Sequence, residues 1–140
     1  MRYVSKIHAL NLPCSLATCG DWHQSALQWD NPNMCDTDES VFGGYGIESG
    51  KFLPEHGNEP FFVANHIRAL LDLLEAGNFS TAQGMNADFI CNGSYDTEIF
   101  EKTMLLKDLP HWKDIDLFMG REYHVKWLDF KENLQEAALK

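Results

Sequence analysis

Apolar side chains recur at helical spacing through the second half of the chain. The positions that lie three or four residues apart are Val63, Ile67, Leu70, Leu71 and Leu74. This spacing predicts one helix that begins near Phe61, and Gly77 follows where a left-handed cap ends a helix. Similar patterns predict three further helices over residues 81–90, 97–107 and 114–137, with Asp96 as the cap of the second of these.

The first sixty residues show shorter and more irregular patterns. Imperfect alternation over residues 3–10 predicts a strand, and Asp21 is placed to cap a short helix over residues 21–29. Residues 40–48 combine aromatic and apolar side chains with glycines, which predicts a strand that contains a turn or bulge. A small N-terminal sheet packed against about four C-terminal helices predicts an α+β fold. We expect one domain over residues 1–140, with a strand and loop sub-region at 1–60 and a helical sub-region at 61–140.

The chain is acidic, with a formal net charge of −10. Nucleic-acid affinity comes largely from cationic contacts with phosphates, so we expect no direct DNA or RNA binding. A basic protein partner would complement this charge, although net charge also simply keeps a protein soluble. Residues 1–12 lack the unbroken apolar stretch of a signal peptide, and no segment approaches the length of a membrane span. We therefore expect a cytoplasmic protein with no membrane partner, whose cysteines act as metal ligands or buried apolar residues and not as disulfides.

Three cysteines and a histidine lie within 22 consecutive positions. The set is Cys14, Cys19, His23 and Cys35. Three thiolates and one imidazole are ligands that Zn²⁺ accepts in a closed tetrahedron, which predicts a structural zinc site that braces the loop region. Simple burial of the cysteines is the alternative.

The fourth ligand of this zinc site is open to a second interpretation. His8 competes with His23 for the position, and His23 is favoured because it needs less long-range closure after Cys19. If only three ligands bind, a zinc-bound water becomes possible, with Asp21 as a supporting acceptor or general base.

No catalytic motif stands out, so we predict a protein that binds another protein without catalysis. His66 is interpreted as a core or half-exposed histidine and not as a catalytic one. The tryptophans are core residues by default. If Trp22 or Trp29 is exposed beside the acidic segment 30–39, that tryptophan becomes a candidate anchor of a protein interface.

Three short segments carry a resemblance to a known class of proteins. They are His-Ala-Leu-Asn at 8–11, Gly-Asp-Trp-His at 20–23 and Ala-Asn-His-Ile-Arg-Ala-Leu at 64–70. Together with the size, acidity and Cys/His cluster, they resemble zinc-containing anti-CRISPR proteins of phages and mobile elements, which inhibit the RNA-guided DNA nuclease of type II systems. The resemblance implies a CRISPR effector nuclease as the basic partner, the bacterial host cytoplasm as the location, and the cysteines with a histidine as metal ligands.

Two other functions remain open at this point. An antitoxin or immunity protein that neutralises a bacterial toxin would share the size and acidity. A small zinc-dependent hydrolase would require an open position on the metal.

Overall fold

A computed structural model describes residues 1–139 of the chain. The four strands are β1 (Arg2–Val4), β2 (Met34–Asp36), β3 (Ile47–Phe52) and β4 (Pro60–Ala64). The six α-helices are α1 (Lys6–Leu10), α2 (His66–Ala76), α3 (Phe79–Ala82), α4 (Asp96–Thr103), α5 (Trp112–Tyr123) and α6 (Val125–Leu139). The prediction of an α+β fold is confirmed.

The four strands form one mixed sheet in the order β2-β1-β4-β3. Strand β1 pairs antiparallel with β2, where Tyr3 lies opposite Cys35, and parallel with β4, where Val4 lies opposite Val63. Strands β3 and β4 pair antiparallel with an irregular register. Tyr3, Val4 and Val63 are almost fully buried, so the centre of the sheet belongs to the core.

Helix α2 is the central helix of the fold. The side chain of Asn65 accepts a hydrogen bond from the backbone N–H of Arg68 (2.9 Å) and begins the helix, while Gly77 at φ 80° ends it as predicted. The predicted start near Phe61 is wrong because Pro60–Ala64 forms β4. Its aromatic and β-branched side chains pack well on a pleated sheet, and Asn65 then separates strand from helix.

A buried polar network ties α2 to β1. Asp72 accepts hydrogen bonds from Arg68 Nε (2.9 Å), the Tyr3 hydroxyl (2.6 Å) and the Ser5 hydroxyl (2.6 Å). Burial, then the adjacent Asp72 carboxylate, raise the pKa of Tyr3, which keeps its hydroxyl protonated and able to donate. Arg68 Nη1 also donates to the carbonyl oxygens of Gly43 and Tyr45, at 2.7 and 2.6 Å. The network therefore joins the sheet, the helix and the glycine-rich turn.

Several N-terminal predictions are corrected by the structure. The strand predicted over 3–10 ends at Val4, and α1 follows it. The helix predicted over 21–29 reduces to one 3₁₀ turn, Gln24–Ala26. Residues 40–46 form turns that follow the glycines, and the strand begins at Ile47 and ends at Phe52. In short segments rich in glycine and polar residues the local pattern is weak, so tertiary contacts determine where each strand and helix begins and ends.

The C-terminal helices are shorter than predicted. Residues 81–90 are divided between α3 and a π-helical turn at Met85–Ile90, and α4 passes into a 3₁₀ turn at Met104–Leu106. The helix predicted over 114–137 is broken at His124, whose φ is 54°. After the break, Trp127 is fully buried and packs edge-on against Phe100. Within residues 1–139, none of the helices is both long enough and apolar enough to cross a bilayer.

Candidate interaction site around Trp22

An irregular segment, residues 14–26, carries the most exposed tryptophan of the described chain; we call it the Trp22 loop. Trp22 has 78% of its surface exposed, whereas Trp29 is 3% exposed and belongs to the core. Trp22 therefore meets the exposure part of the condition stated for a candidate interface anchor. An exposed tryptophan is a candidate anchor because tryptophan is enriched among the residues that dominate interface energies.

The backbone on the N-terminal side of Trp22 is fixed by two neighbouring elements. The N–H of Asp21 donates to the carbonyl of Leu10 at the end of α1 (2.8 Å), and the N–H of Gly20 donates to the carbonyl of Phe89 (2.8 Å). Gly20 has φ +70°, and a Cβ there would lie 2.6 Å from the Cε1 atom of His66. Only glycine fits this approach of the loop to α2.

Asn11 is a buried residue that forms hydrogen bonds to the same region. It is 4% exposed, and its Nδ2 donates to the carbonyl of Ile7 (2.9 Å) and to Asp21 Oδ2 (3.2 Å). Its Oδ1 accepts from the backbone N–H of His23 (2.8 Å), and its carbonyl accepts from Gln24 Nε2 (3.0 Å). One buried side chain therefore holds both residues that flank Trp22.

His23 lies next to Trp22 and is also exposed. Its side chain is 76% exposed, and its Nδ1 lies 2.5 Å from Asp21 Oδ1. The carboxylate orients the imidazole and leaves Nε2 facing solvent. Trp22 and His23 together form an aromatic and polar projection on a firmly held backbone, which suits the recognition of a partner surface.

The segment around this projection is uniformly acidic. Residues 7–50 contain six aspartates and glutamates but no lysine or arginine. Trp22 is thus an exposed apolar side chain within a stretch of sequence that carries negative charges and no lysine or arginine. The complementary surface is a basic one with a pocket for an aromatic side chain.

A disulfide joins the Trp22 loop to a distant part of the chain. Cys19 is bonded to Cys91, 72 positions away, with the two Cα atoms 6.1 Å apart. Both residues are exposed. The expectation that the cysteines avoid disulfides is therefore wrong for this pair, because the π-helical turn Met85–Ile90 places Cys91 directly beside the loop.

The structure does not bring the four predicted zinc ligands together. Cys19 is oxidised, Cys35 lies on β2, and His23 Nδ1 faces Asp21. Among residues 1–139 no group of three or more His, Cys, Asp or Glu side chains is arranged to hold a metal ion. The zinc site stays a prediction.

The alternative ligand His8 has both ring nitrogens engaged. Its Nδ1 lies 2.8 Å from Asn33 Oδ1, and its Nε2 lies 2.9 Å from the carbonyl oxygen of Gln28. His8 is also buried, with 8% of its surface exposed. In this arrangement the side chain of His8 connects α1 to the segment before β2 and has no ring nitrogen free to bind a metal.

Cys14 instead faces His66 at the start of α2. Burial alone would raise the pKa of Cys14, but the imidazole of His66 and the backbone N–H groups of His66 and Leu16 lower it. His66 Nε2 donates to the carbonyl of Leu12 (2.7 Å), and its Nδ1 lies 2.7 Å from the Thr18 hydroxyl. Burial would lower the pKa of His66, while Cys14 and then the Leu12 carbonyl raise it. Each group therefore shifts the pKa of the other in the direction of its charged form.

Cys35 has the opposite environment. Burial, then the carboxylate of Asp72, raise the pKa of its thiol. The two free cysteines are both partly buried, so their difference comes from the charges and N–H groups around each sulfur.

Sequence reasoning missed two residues that shape this site, and one contact between two others. Asn11 and Cys91 carry no local signal, since their roles depend on contacts formed by the folded chain. His66 lies in the core, in agreement with its interpretation from the sequence. Its proximity to Cys14 was not predictable, because it depends on how closely the loop approaches α2 in the folded chain.

Comparison with known proteins adds no family assignment. No protein-family model, no curated protein and no solved structure matches the chain.

Proposed function

We propose that the protein acts without catalysis, as an inhibitor that binds a basic protein partner through the surface around Trp22. The observation that carries the proposal is a tryptophan 78% exposed on a loop that is otherwise firmly held. Tryptophan is enriched among residues that dominate interface energies, and a rigid anchor loses little conformational entropy on binding.

The rigidity of the loop supports the interpretation that Trp22 binds a partner, and not that its side chain is exposed by chance. Asn11, the Cys19–Cys91 disulfide and the backbone hydrogen bonds of Gly20 and Asp21 fix the residues on either side of Trp22. A loop held by this many contacts presents the same surface before and after binding. Such preorganisation raises affinity because ordering is completed during folding.

The acidity of residues 7–50 supports a cationic partner. The resemblance to anti-CRISPR proteins gives that partner an identity, the guide-loaded DNA nuclease of a type II system. Such a nuclease holds its nucleic acids in a positively charged channel and must change conformation before it cleaves. An acidic domain with an aromatic anchor inhibits it either by occupying the channel or by opposing that change.

The binding experiment measures the affinity of the chain for immobilised, guide-loaded type II nucleases. Trp22→Ala is expected to raise Kd about 30-fold, which corresponds to about 2 kcal/mol for an interface anchor. Leu128→Ala on α6 is the matched control, because this side chain is also apolar and half exposed. We expect the control to bind as the wild type does.

The outcomes separate the proposed function from its alternatives. Wild-type binding that Trp22→Ala leaves unchanged would contradict the role of this surface. Absence of binding to every nuclease, with tight binding to a toxin encoded beside the gene, would replace the nuclease inhibitor with an antitoxin. Circular dichroism of each variant confirms that the fold is retained, since changes at exposed positions cost little stability.

The structural zinc is tested separately from partner binding. Native mass spectrometry of reduced, tag-free chain in the presence of Zn²⁺ is predicted to show one zinc per chain, lost in Cys19→Ala and His23→Ala. Absence of zinc from the reduced wild type would contradict the prediction. It would leave the interaction proposal unchanged, because the Trp22 surface is described without a metal.

A further inference from the structure

The Cys19–Cys91 disulfide links two segments that have no regular strand or α-helix at the point of contact. The Trp22 loop provides Cys19, and Cys91 follows the π-helical turn Met85–Ile90. Trp22 lies only three positions after Cys19. The covalent bond is therefore close, along the chain, to the residue proposed to contact the partner.

Few other contacts connect the two segments. The Gly20 N–H donates to Phe89 (2.8 Å), the Ala17 N–H donates to the Tyr95 hydroxyl (2.9 Å), and Asn92 Nδ2 donates to the Ala17 carbonyl (2.9 Å). The last two of these hydrogen bonds are solvent-exposed. Each exposed hydrogen bond contributes modestly because water competes for its partners. The disulfide is the strongest single connection between the segments.

The sulfur atoms are also accessible to a reagent. Cys19 and Cys91 are both exposed, so a thiolate in solution is able to reach the bond. Cys91 has φ +40°, an unfavourable backbone region for a residue with a Cβ. Reduction allows this residue to leave that conformation, which favours separation of the two segments.

We propose that the Cys19–Cys91 bridge is a redox modification site, at which a dithiol reductant releases the Trp22 loop and weakens partner binding. The binding half of this inference rests on the proposed function; the loop-release half does not. A thiolate of the dithiol attacks one cysteine sulfur, the S–S bond breaks, and a mixed disulfide forms. The other cysteine leaves as a thiolate in this step. The second thiolate of the reductant then attacks the reductant's own sulfur in the mixed disulfide and displaces the cysteine sulfur that was attacked first. The dithiol leaves as a cyclic disulfide, having supplied two electrons and two protons.

Hydrogen–deuterium exchange of the full-length chain, oxidised or reduced with dithiothreitol, tests the loop-release half without a partner. Reduction is expected to raise exchange at the amide of Gly20 at least tenfold, because its acceptor, the Phe89 carbonyl, lies in the segment that the bridge holds beside the loop. Amides in the centre of α2 serve as the internal reference and should stay protected over the same interval. Equal exchange of the loop in both states would overturn the proposal. A loop that exchanges no faster than the centre of α2 in the reduced protein would also overturn it, since the bridge would then act on global stability only.

The Cys19→Ser/Cys91→Ser double variant is the control. It should show the fast loop exchange of the reduced protein and should not respond to dithiothreitol. A response of this variant would assign the effect to another group and overturn the proposal.

Affinity for the guide-loaded nuclease, measured on oxidised and reduced protein, tests the binding half. We expect reduction to raise Kd at least tenfold, and an unchanged Kd despite faster loop exchange would overturn this half. If neither form binds any partner, the proposed function fails, while the exchange data still decide whether the bridge holds the loop.

Discussion

The ion pair between Arg68 and Asp72 is buried, and its removal has a calculable cost. Arg68 is fully buried and Asp72 is 4% exposed, so neither charge is compensated by water. Asp72→Ala removes the carboxylate that accepts from Arg68, Tyr3 and Ser5, and leaves the guanidinium charge without its counter-ion. Breaking a buried pair by deleting one partner typically costs 3–5 kcal/mol, so we expect a loss of about 4 kcal/mol in the free energy of unfolding.

Urea unfolding followed by tryptophan fluorescence measures this loss from the midpoint, provided that the m-value is unchanged. Lys126→Ala is the control, because Lys126 also forms an ion pair, with Asp96 (3.2 Å), but its side chain is 63% exposed. Exposed pairs contribute little, and we expect this control to lose about 1 kcal/mol. A loss below about 1.5 kcal/mol for Asp72→Ala would refute the reasoning.

A double-mutant cycle separates the pair from the rest of the network. Arg68→Met alone leaves a buried carboxylate with only hydroxyl donors, so it should also be strongly destabilising. The Arg68→Met/Asp72→Ala variant contains neither charge, and its loss should be smaller than the sum of the single losses by at least about 2 kcal/mol. Additive losses would show that the two side chains act independently, in contradiction to the structure.

Two further predictions concern the cysteines. Cys91→Ser should lower the free energy of unfolding by about 4 kcal/mol in non-reducing buffer, the chain-entropy cost for a bridge to Cys19 across 72 positions, and an unchanged urea midpoint would contradict it. Iodoacetamide should alkylate Cys14 faster than Cys35 near neutral pH, because a lowered pKa gives more thiolate there and a raised one gives less. His66→Gln should slow Cys14 toward the Cys35 rate by mass spectrometry; equal wild-type rates would contradict the assigned environments.

The fold class was accessible from the sequence because the periodic apolar positions of α2 and its cap at Gly77 are local signals. The buried pair in α2 carries a local signal, because Arg68 and Asp72 are four positions apart on a strongly apolar helix. On such a helix, two opposite charges at this spacing are expected to be buried together and to neutralise each other. The strand at Pro60–Ala64 was missed because its apolar residues continue into the helix without a change of composition.

The candidate site was only partly predictable, for a different physical reason. Trp22 was identified as a conditional anchor, and its exposure depends on how Asn11 and α1 hold the loop. The Cys19–Cys91 pairing joins residues 72 positions apart, and sequence spacing does not determine which cysteines meet across such a distance. Contacts of this kind are consequences of the whole fold and not of any local pattern.

Titration of the chain into a reconstituted DNA-cleavage reaction tests the central claim most directly. Guide-loaded type II nuclease, target DNA and oxidised wild-type chain should show inhibition at a near-stoichiometric ratio, while Trp22→Ala requires about 30-fold more protein and Leu128→Ala behaves as the wild type does. Full cleavage at large excess of wild-type chain, across several type II nucleases, would contradict the account.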